Sequence, residues 1–207
     1  MRAKPATFET ALDLVGDVLA AVRGLGSRQP VDPLLGSASV AATMLDVFPD
    51  KVVIAVDWRT LPGTTGDDLL AALCDALAER FREVPPGYAV EARVARVCQH
   101  TWTGVERDTS LLTPGFLVAP DDKVVTAAAR AVGRRGDVSR PAELRPWTFA
   151  TDGGWSRGAF GIPTVGFAPG EERRAHTNQE RLDLEEARWA FARHPGLVMA
   201  VQNALAR

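Results

Sequence analysis

The sequence predicts an α/β chain in two parts, and three observations carry that prediction. Apolar residues recur with a helical period near the start, alternate in strand-like runs after it, and form a β-branched run closed by a Pro-Gly turn further on. The first part reads helix, strand, strand, helix, strand, and the second reads as mostly helical with two short strands. With 207 residues, 46% hydrophobic and 24% charged, the chain has the composition of an ordinary globular protein with room for a core in each part.

Phe8, Ala11, Leu12, Val15, Val18, Leu19 and Val22 keep the 3.6-residue period and predict a helix over 7–23. Glycine and proline crowd residues 24–36, which read as a loop. Residues 37–45 and 51–61 read as strands joined at Phe48-Pro49-Asp50. Thr65, with Asp68 three positions on, caps a second helix whose apolar face is Leu69, Leu70, Leu73, Leu77 and Phe81. Pro85-Pro86-Gly87 ends it. Residues 88–97 alternate as a strand, with Val90, Ala92, Val94 and Arg96 on one face and Glu91, Arg93 and Ala95 on the other. A ferredoxin-like β-α-β-β-α-β unit that lacks its first strand has this order, so residues 1–105 are expected to form such an α+β domain.

Residues 106–207 make the second part. A helix is predicted over 120–132, with Val124, Val125, Ala128 and Val132 on its face. Short strands are predicted at 147–150 and 162–167, with a turn or short helix at 153–160 between them. Asp183 and Glu186 open a last helix that runs towards Ala206. Pro195 lies inside it and removes a backbone donor, which predicts a kink or break near His194. Two strands cannot make a complete parallel sheet covered on both faces.

Several function classes are excluded at this level. A net charge of −2, with Arg134-Arg135 and Arg173-Arg174 as isolated basic pairs, leaves no nucleic-acid footprint. No run reaches the ~18 apolar residues of a membrane span, so no membrane partner is expected. Met1-Arg2-Ala3-Lys4-Pro5 leads straight into the first helix without a secretory pattern, and Cys74 and Cys98 lack metal-ligand spacing. Two reduced thiols in a cytoplasmic protein are the expectation.

The most informative stretch is Gly161-Ile162-Pro163-Thr164-Val165-Gly166-Phe167-Ala168-Pro169-Gly170, followed by Ala175-His176-Thr177-Asn178-Gln179-Glu180. It places His176 in a loop at the carboxyl end of a strand and ahead of a helix, the edge where open α/β sheets bind ligands. The pattern G-I-P-T-V-G-F-x-P-G, then A-H-T-x-x-E, resembles the C-terminal end of the zinc-dependent amidohydrolase family of acetylornithine deacetylase, succinyl-diaminopimelate desuccinylase, aminoacylase and carboxypeptidase G. A second block agrees in order. Asp46-Val47-Phe48-Pro49-Asp50, then Asp57-Trp58-Arg59-Thr60-Leu61-Pro62-Gly63, resembles the N-x-(I/V)-P-D…D-x-R-x-x-P-G stretch of that family's dimerisation (lid) domain.

The resemblance implies a ferredoxin-like lid followed by the C-terminal part of an α/β zinc-hydrolase catalytic domain. It implies metal-dependent hydrolysis of an amide or peptide bond in a small N-acyl or dipeptide-like substrate, and a homodimer through the lid. In that family two zinc ions share a bridging carboxylate and activate a water. His176 matches the last ligand position. The remaining ligands, an H-x-D, a bridging Asp and a Glu-Glu pair, lie in the family's N-terminal half. This sequence holds no H-x-D: His100 is followed by Thr101-Trp102, and His194 by Pro195-Gly196. Glu171-Glu172 and Glu185-Glu186 match the loop and helix start beside His176.

Arg59 matches a position that clamps a substrate carboxylate, for which a guanidinium fork suits bidentate binding. Asp152 matches the family's T-D or S-D-G turn, where it fixes the loop or faces substrate and is not a ligand, and Gly170 closes the strand beside the substrate. Asp46 stands where many relatives have Asn. The lid histidine that reaches into a partner's site has no counterpart within residues 1–6. No catalytic base is assigned. By itself the chain is expected to be inactive or impaired, as a truncated product, the result of a mis-called start, or one half of a split enzyme with an N-terminal partner polypeptide.

Two other readings stand beside this one. Gly154-Trp155-Ser156-Arg157-Gly158 matches the G-x-S-x-G elbow of serine hydrolases, with Asp183 and His194 following in order. The elbow should follow its strand directly, however, and Thr151-Asp152-Gly153 intervene. A non-enzymatic dimerisation module, pairing through the edge left by a missing strand, is the other.

Overall fold

The computed structural model describes residues 11–81, 83–84 and 86–206, so expectations that fall on residues 1–10, the missing lid histidine among them, and on Pro85 lie outside the described residues. It is a mixed α/β chain with three small antiparallel sheets and four α-helices among the described residues. The chain divides into two compact units, 1–112 and 113–207. No described helix is long and apolar enough to cross a membrane.

In the first unit, α1 (Ala11–Gly26) runs three residues past its predicted end. A small hairpin follows in the expected loop, β1 (Val31–Asp32) on β2 (Gly36–Ser37). The Asp32 carboxylate accepts from the amides of Leu34 and Leu35, each at 2.8 Å, which closes the turn. β3 (Ser39–Val47) pairs antiparallel with β4 (Val52–Arg59), with a bulge between Ala42 and Met44. Phe48 donates its amide to the Lys51 carbonyl at 2.8 Å to make the turn.

α2 (Gly66–Arg80) starts at the predicted cap: Thr65 Oγ1 accepts from the Asp68 amide, and the Asp68 carboxylate accepts from the Thr65 amide. α1 and α2 pack together through Ala21, Leu25, Ala76 and Leu77, with Val40, Trp58 and Val90 against them. Burying Leu77 alone contributes about 2 kcal/mol. Arg80–Asp17 at 2.7 Å joins the two helices, and Arg28–Glu79 at 2.9 Å ties the loop after α1 to α2, both on the exposed side, where such pairs add little.

The predicted strand over 88–97 is corrected in a specific way. Among the described residues, 89–94 belong to no ladder, and the strand is instead β5 (Arg96–His100). Val90, Ala92 and Val94 are still half-buried, while Ala89, Glu91, Arg93 and Ala95 are exposed. The alternation set the side-chain faces correctly, but a ladder also needs backbone pairing, and none of the described strands pairs with 89–94. β5 pairs with β6 (Glu106–Ser110), and the unit ends two residues beyond that hairpin.

The second unit has α3 (Lys123–Val132) and α4 (Leu184–Leu205) packed through Ala128, Val132 and Leu197, with Val165, Phe167, Trp189 and Val201 around them. Asp122 caps α3 by accepting from the amides of Val124 and Val125. Neither 147–150 nor 162–167 forms a strand, which corrects both expectations: among the described residues neither has a ladder neighbour. Residues 154–159 form a π-helical turn.

Of the kink or break expected near His194, the break does not occur, because α4 continues through Pro195. The carbonyl that loses its donor belongs to Phe191, whose residue is 81% exposed, so water can take the donor's place. His194 turns its Nδ1 to the Ala190 carbonyl at 2.8 Å, a further contact at the same turn.

Candidate functional site

His176 sits in a loop built by local bonds. A 3-10 turn, Glu172–Arg174, leads in. Thr177 Oγ1 donates to the Arg174 carbonyl at 2.7 Å, and the His176 amide donates to the Glu180 carboxylate at 3.0 Å. The Glu172 carboxylate accepts from the Thr148 amide at 2.5 Å, and the Phe149 ring lies 5.0 Å from the imidazole centroid. The loop is therefore fixed to the 147–149 segment on one side and closed on itself on the other.

Glu171 binds Arg173 at 2.6 Å, and that hydrogen bond holds its carboxyl below the usual carboxylate range. These two acids of the loop thus have structural partners. Glu185 and Glu186, the other acid pair, start α4, where their amides donate to the Asp183 carboxylate.

His176 is the one described non-glycine residue with a left-handed backbone, at φ 63°. That conformation disfavours an L side chain by roughly 1–2 kcal/mol, and histidine tolerates it better than most residues. The ring is exposed. Among the described residues no group of three or more His, Cys, Asp or Glu ligand atoms gathers around it. The residues present therefore do not fit a two-zinc centre, which needs several further ligands besides one imidazole.

Asp152 and Gly170 belong to the same unit as His176, and Arg59 to the other. Asp152 is exposed, and its carbonyl accepts from the amides of Trp155 and Ser156, which starts the π-helical turn. The turn sits where only glycine fits: a Cβ on Gly154 would lie 2.3 Å from the Pro114 carbonyl oxygen. Gly170 takes φ 112°, a value glycine adopts without strain. Arg59 ends β4 on its exposed face with Asp57, opposite Ser39. Its neighbour Trp58 points inward and donates its indole N–H to Gln29 at 2.8 Å. Asp46 is exposed in β3 opposite Val53.

The serine-hydrolase elbow does not assemble. The Ser156 hydroxyl pairs with the Thr164 hydroxyl at 2.8 Å, the Asp183 carboxylate caps α4, and His194 Nδ1 is turned to Ala190. None of the three meets another, as a nucleophile, base and orienting acid must.

The sequence reading passed over one cluster. Cys98 and His100 stand two apart on β5, and so share a face, and Glu106 faces His100 across the hairpin. Reading for local metal spacing missed it, because the third residue comes from the paired strand. A Cys-x-His strand end followed by a short turn and an acid is the signal that would have found it.

No family model matches the chain. The chain is similar to "Uncharacterized protein YgeY" of Escherichia coli K12 and of Escherichia coli O157:H7, each 26% identical over 188 residues, which is 86% of this chain and 44% of the relative. The chain thus spans less than half the length of these curated relatives.

Proposed function

We propose that this chain carries the lid and the C-terminal catalytic portion of a zinc-dependent amidohydrolase acting on small N-acyl or dipeptide-like substrates. His176 occupies a ligand position in this reading, and Arg59, Asp152 and Gly170 face substrate. The observation that carries it is the His176 loop. A histidine kept in a left-handed conformation, its amide on Glu180 and its loop tied by Thr177 to Arg174 and by Glu172 to Thr148, is a strained residue, and strain retained in a fixed loop points to function. The quoted sequence blocks, in the family's order, support the assignment. The relatives' greater length is in keeping with ligands supplied by residues beyond these.

The first unit is read as a ferredoxin-like lid that lacks one strand and pairs into a homodimer. Supporting this, a groove of about 220 Å³ lies between the start of β4 and residues 87–91, floored by Leu14, Val15 and Val18 of α1. Half-buried Val90 lines the groove as well. The same groove favours the second reading, an interaction module or split half that receives a strand from another polypeptide.

Hydrolysis of a panel of N-acyl amino acids and dipeptides separates these readings. With zinc, the chain alone should be inactive, and a complex with a polypeptide carrying H-x-D and the Glu-Glu pair should turn over. His176→Asn should abolish that turnover while leaving stability within about 0.5 kcal/mol, because Asn also tolerates the left-handed backbone. Turnover that survives His176→Asn rejects the ligand role. A stable complex without hydrolysis favours the interaction module.

A further inference from the structure

The hairpin β5–β6 presents one face with Arg96, Cys98 and His100 on one strand and Ser110, Asp108 and Glu106 opposite them. Directly opposed residues of an antiparallel pair share a face, so these six side chains stand together. His100 Nδ1 and Glu106 Oε1 are 3.1 Å apart. Ligand atoms of Cys98, His100 and Glu106 all lie within 4.8 Å of one another. Tetrahedral zinc bonds to sulfur, nitrogen and oxygen put ligand atoms about 3.3–3.6 Å apart, so small rotations of exposed side chains close the triangle.

We propose that Cys98, His100 and Glu106 form a three-ligand site for a divalent transition metal of the zinc class, with solvent in the fourth position. The donor set of thiolate, imidazole and carboxylate is one that zinc accepts and that magnesium or calcium does not favour. The backbone supplies the preorganisation. Thr101 donates its amide to Val105 at 2.9 Å, its hydroxyl accepts from the Val105 amide at 3.0 Å, and Gly104 turns at φ 82°. These bonds hold His100 opposite Glu106.

Asp108, opposite Cys98, is engaged elsewhere. Arg96 Nε binds its carboxylate at 2.6 Å, which leaves three ligands and an open position. Binding displaces water from the metal and releases the Cys98 proton to solvent. The site is independent of His176 and does not rest on the function proposed above.

Cobalt(II) titration of the full chain tests this, because a thiolate ligand gives cobalt a charge-transfer absorption. One cobalt per chain with that band is expected, and Cys98→Ser should abolish the band. His100→Ala and Glu106→Gln should each weaken binding by about tenfold or more, and Cys74→Ser, which removes the other exposed thiol, should leave the band and the affinity unchanged. All three ligands are exposed on a two-stranded hairpin, and circular dichroism of each variant separates loss of a ligand from loss of fold. Absence of the thiolate band at saturating cobalt would overturn the proposal. So would unchanged affinity in both His100→Ala and Glu106→Gln, or one cobalt shared by two chains.

Discussion

The two units hold their extended segments by opposite means. In the first, β3–β4 and β5–β6 are fixed by backbone ladders, so register depends on many bonds and little on any one side chain. In the second, residues 147–149 and 162–167 lie against α3, α4 and the loops without a ladder among the described residues. Besides the packing of Val165 and Phe167 on the core, single devices hold them: Glu172 on the Thr148 amide and Ser156 on Thr164, with Gly154 seated on Pro114 in the turn between. A ladder spreads its stabilisation, and a clamp concentrates it. Single substitutions should therefore disturb the second unit's loops more than the first unit's strands.

The sharpest way to break that contrast is Gly154→Ala. The added Cβ meets a backbone oxygen at 2.3 Å, which no side-chain rotation relieves. A loss of about 3 kcal/mol in urea unfolding is expected, confined to the second unit. Less severe is truncation of each core. Leu77→Ala and Leu197→Ala should each cost about 2–3 kcal/mol, since the two residues are buried to similar degrees in separate clusters. Each should shift one phase of hydrogen-exchange protection and leave the other, and a common shift would show that the units unfold together.

Smaller again is the α3 cap. Asp122→Ala removes the acceptor of two amides and should cost about 1 kcal/mol, read from the thermal midpoint of the second unit. The weakest effect is that of acid. Asp68 is held below the usual carboxylate range by the Thr65 hydroxyl and amide, and Asp183 by the amides of Glu186 and Glu185. A depressed carboxyl stabilises the fold above its unfolded pKa. That contribution is lost as pH falls through the lower folded value, so both caps should weaken only below about pH 4. A thermal midpoint that instead fell between pH 7 and pH 5 would place the sensitive groups elsewhere.

Helices were the most legible part of the sequence, because period and cap are local. Thr65–Asp68 and Val124–Val132 are read correctly from a few residues each. Strands were legible where a tight turn joins them, as in β3–β4, and elsewhere only as far as their faces. Val90, Ala92 and Val94 alternate as expected, yet pairing depends on a neighbour that local pattern does not specify. The same limit hid the Cys98–His100–Glu106 face, whose members meet through hairpin register. His176 was singled out from its sequence context, but its left-handed backbone was not, since nothing in Ala175-His176-Thr177 fixes the sign of φ.

Pro195 sets a boundary in the motions of α4. With no amide at that position, the hydrogen-bond chain of the helix is interrupted between an amino-terminal half anchored by Trp189 and Ala190 and a carboxyl-terminal half anchored by Leu197 and Val201. An opening that starts at this gap is expected to run into one half before the other. Amide exchange along α4 should accordingly fall into two blocks with separate rates, the slower one identifying the half that holds the second unit's core closed.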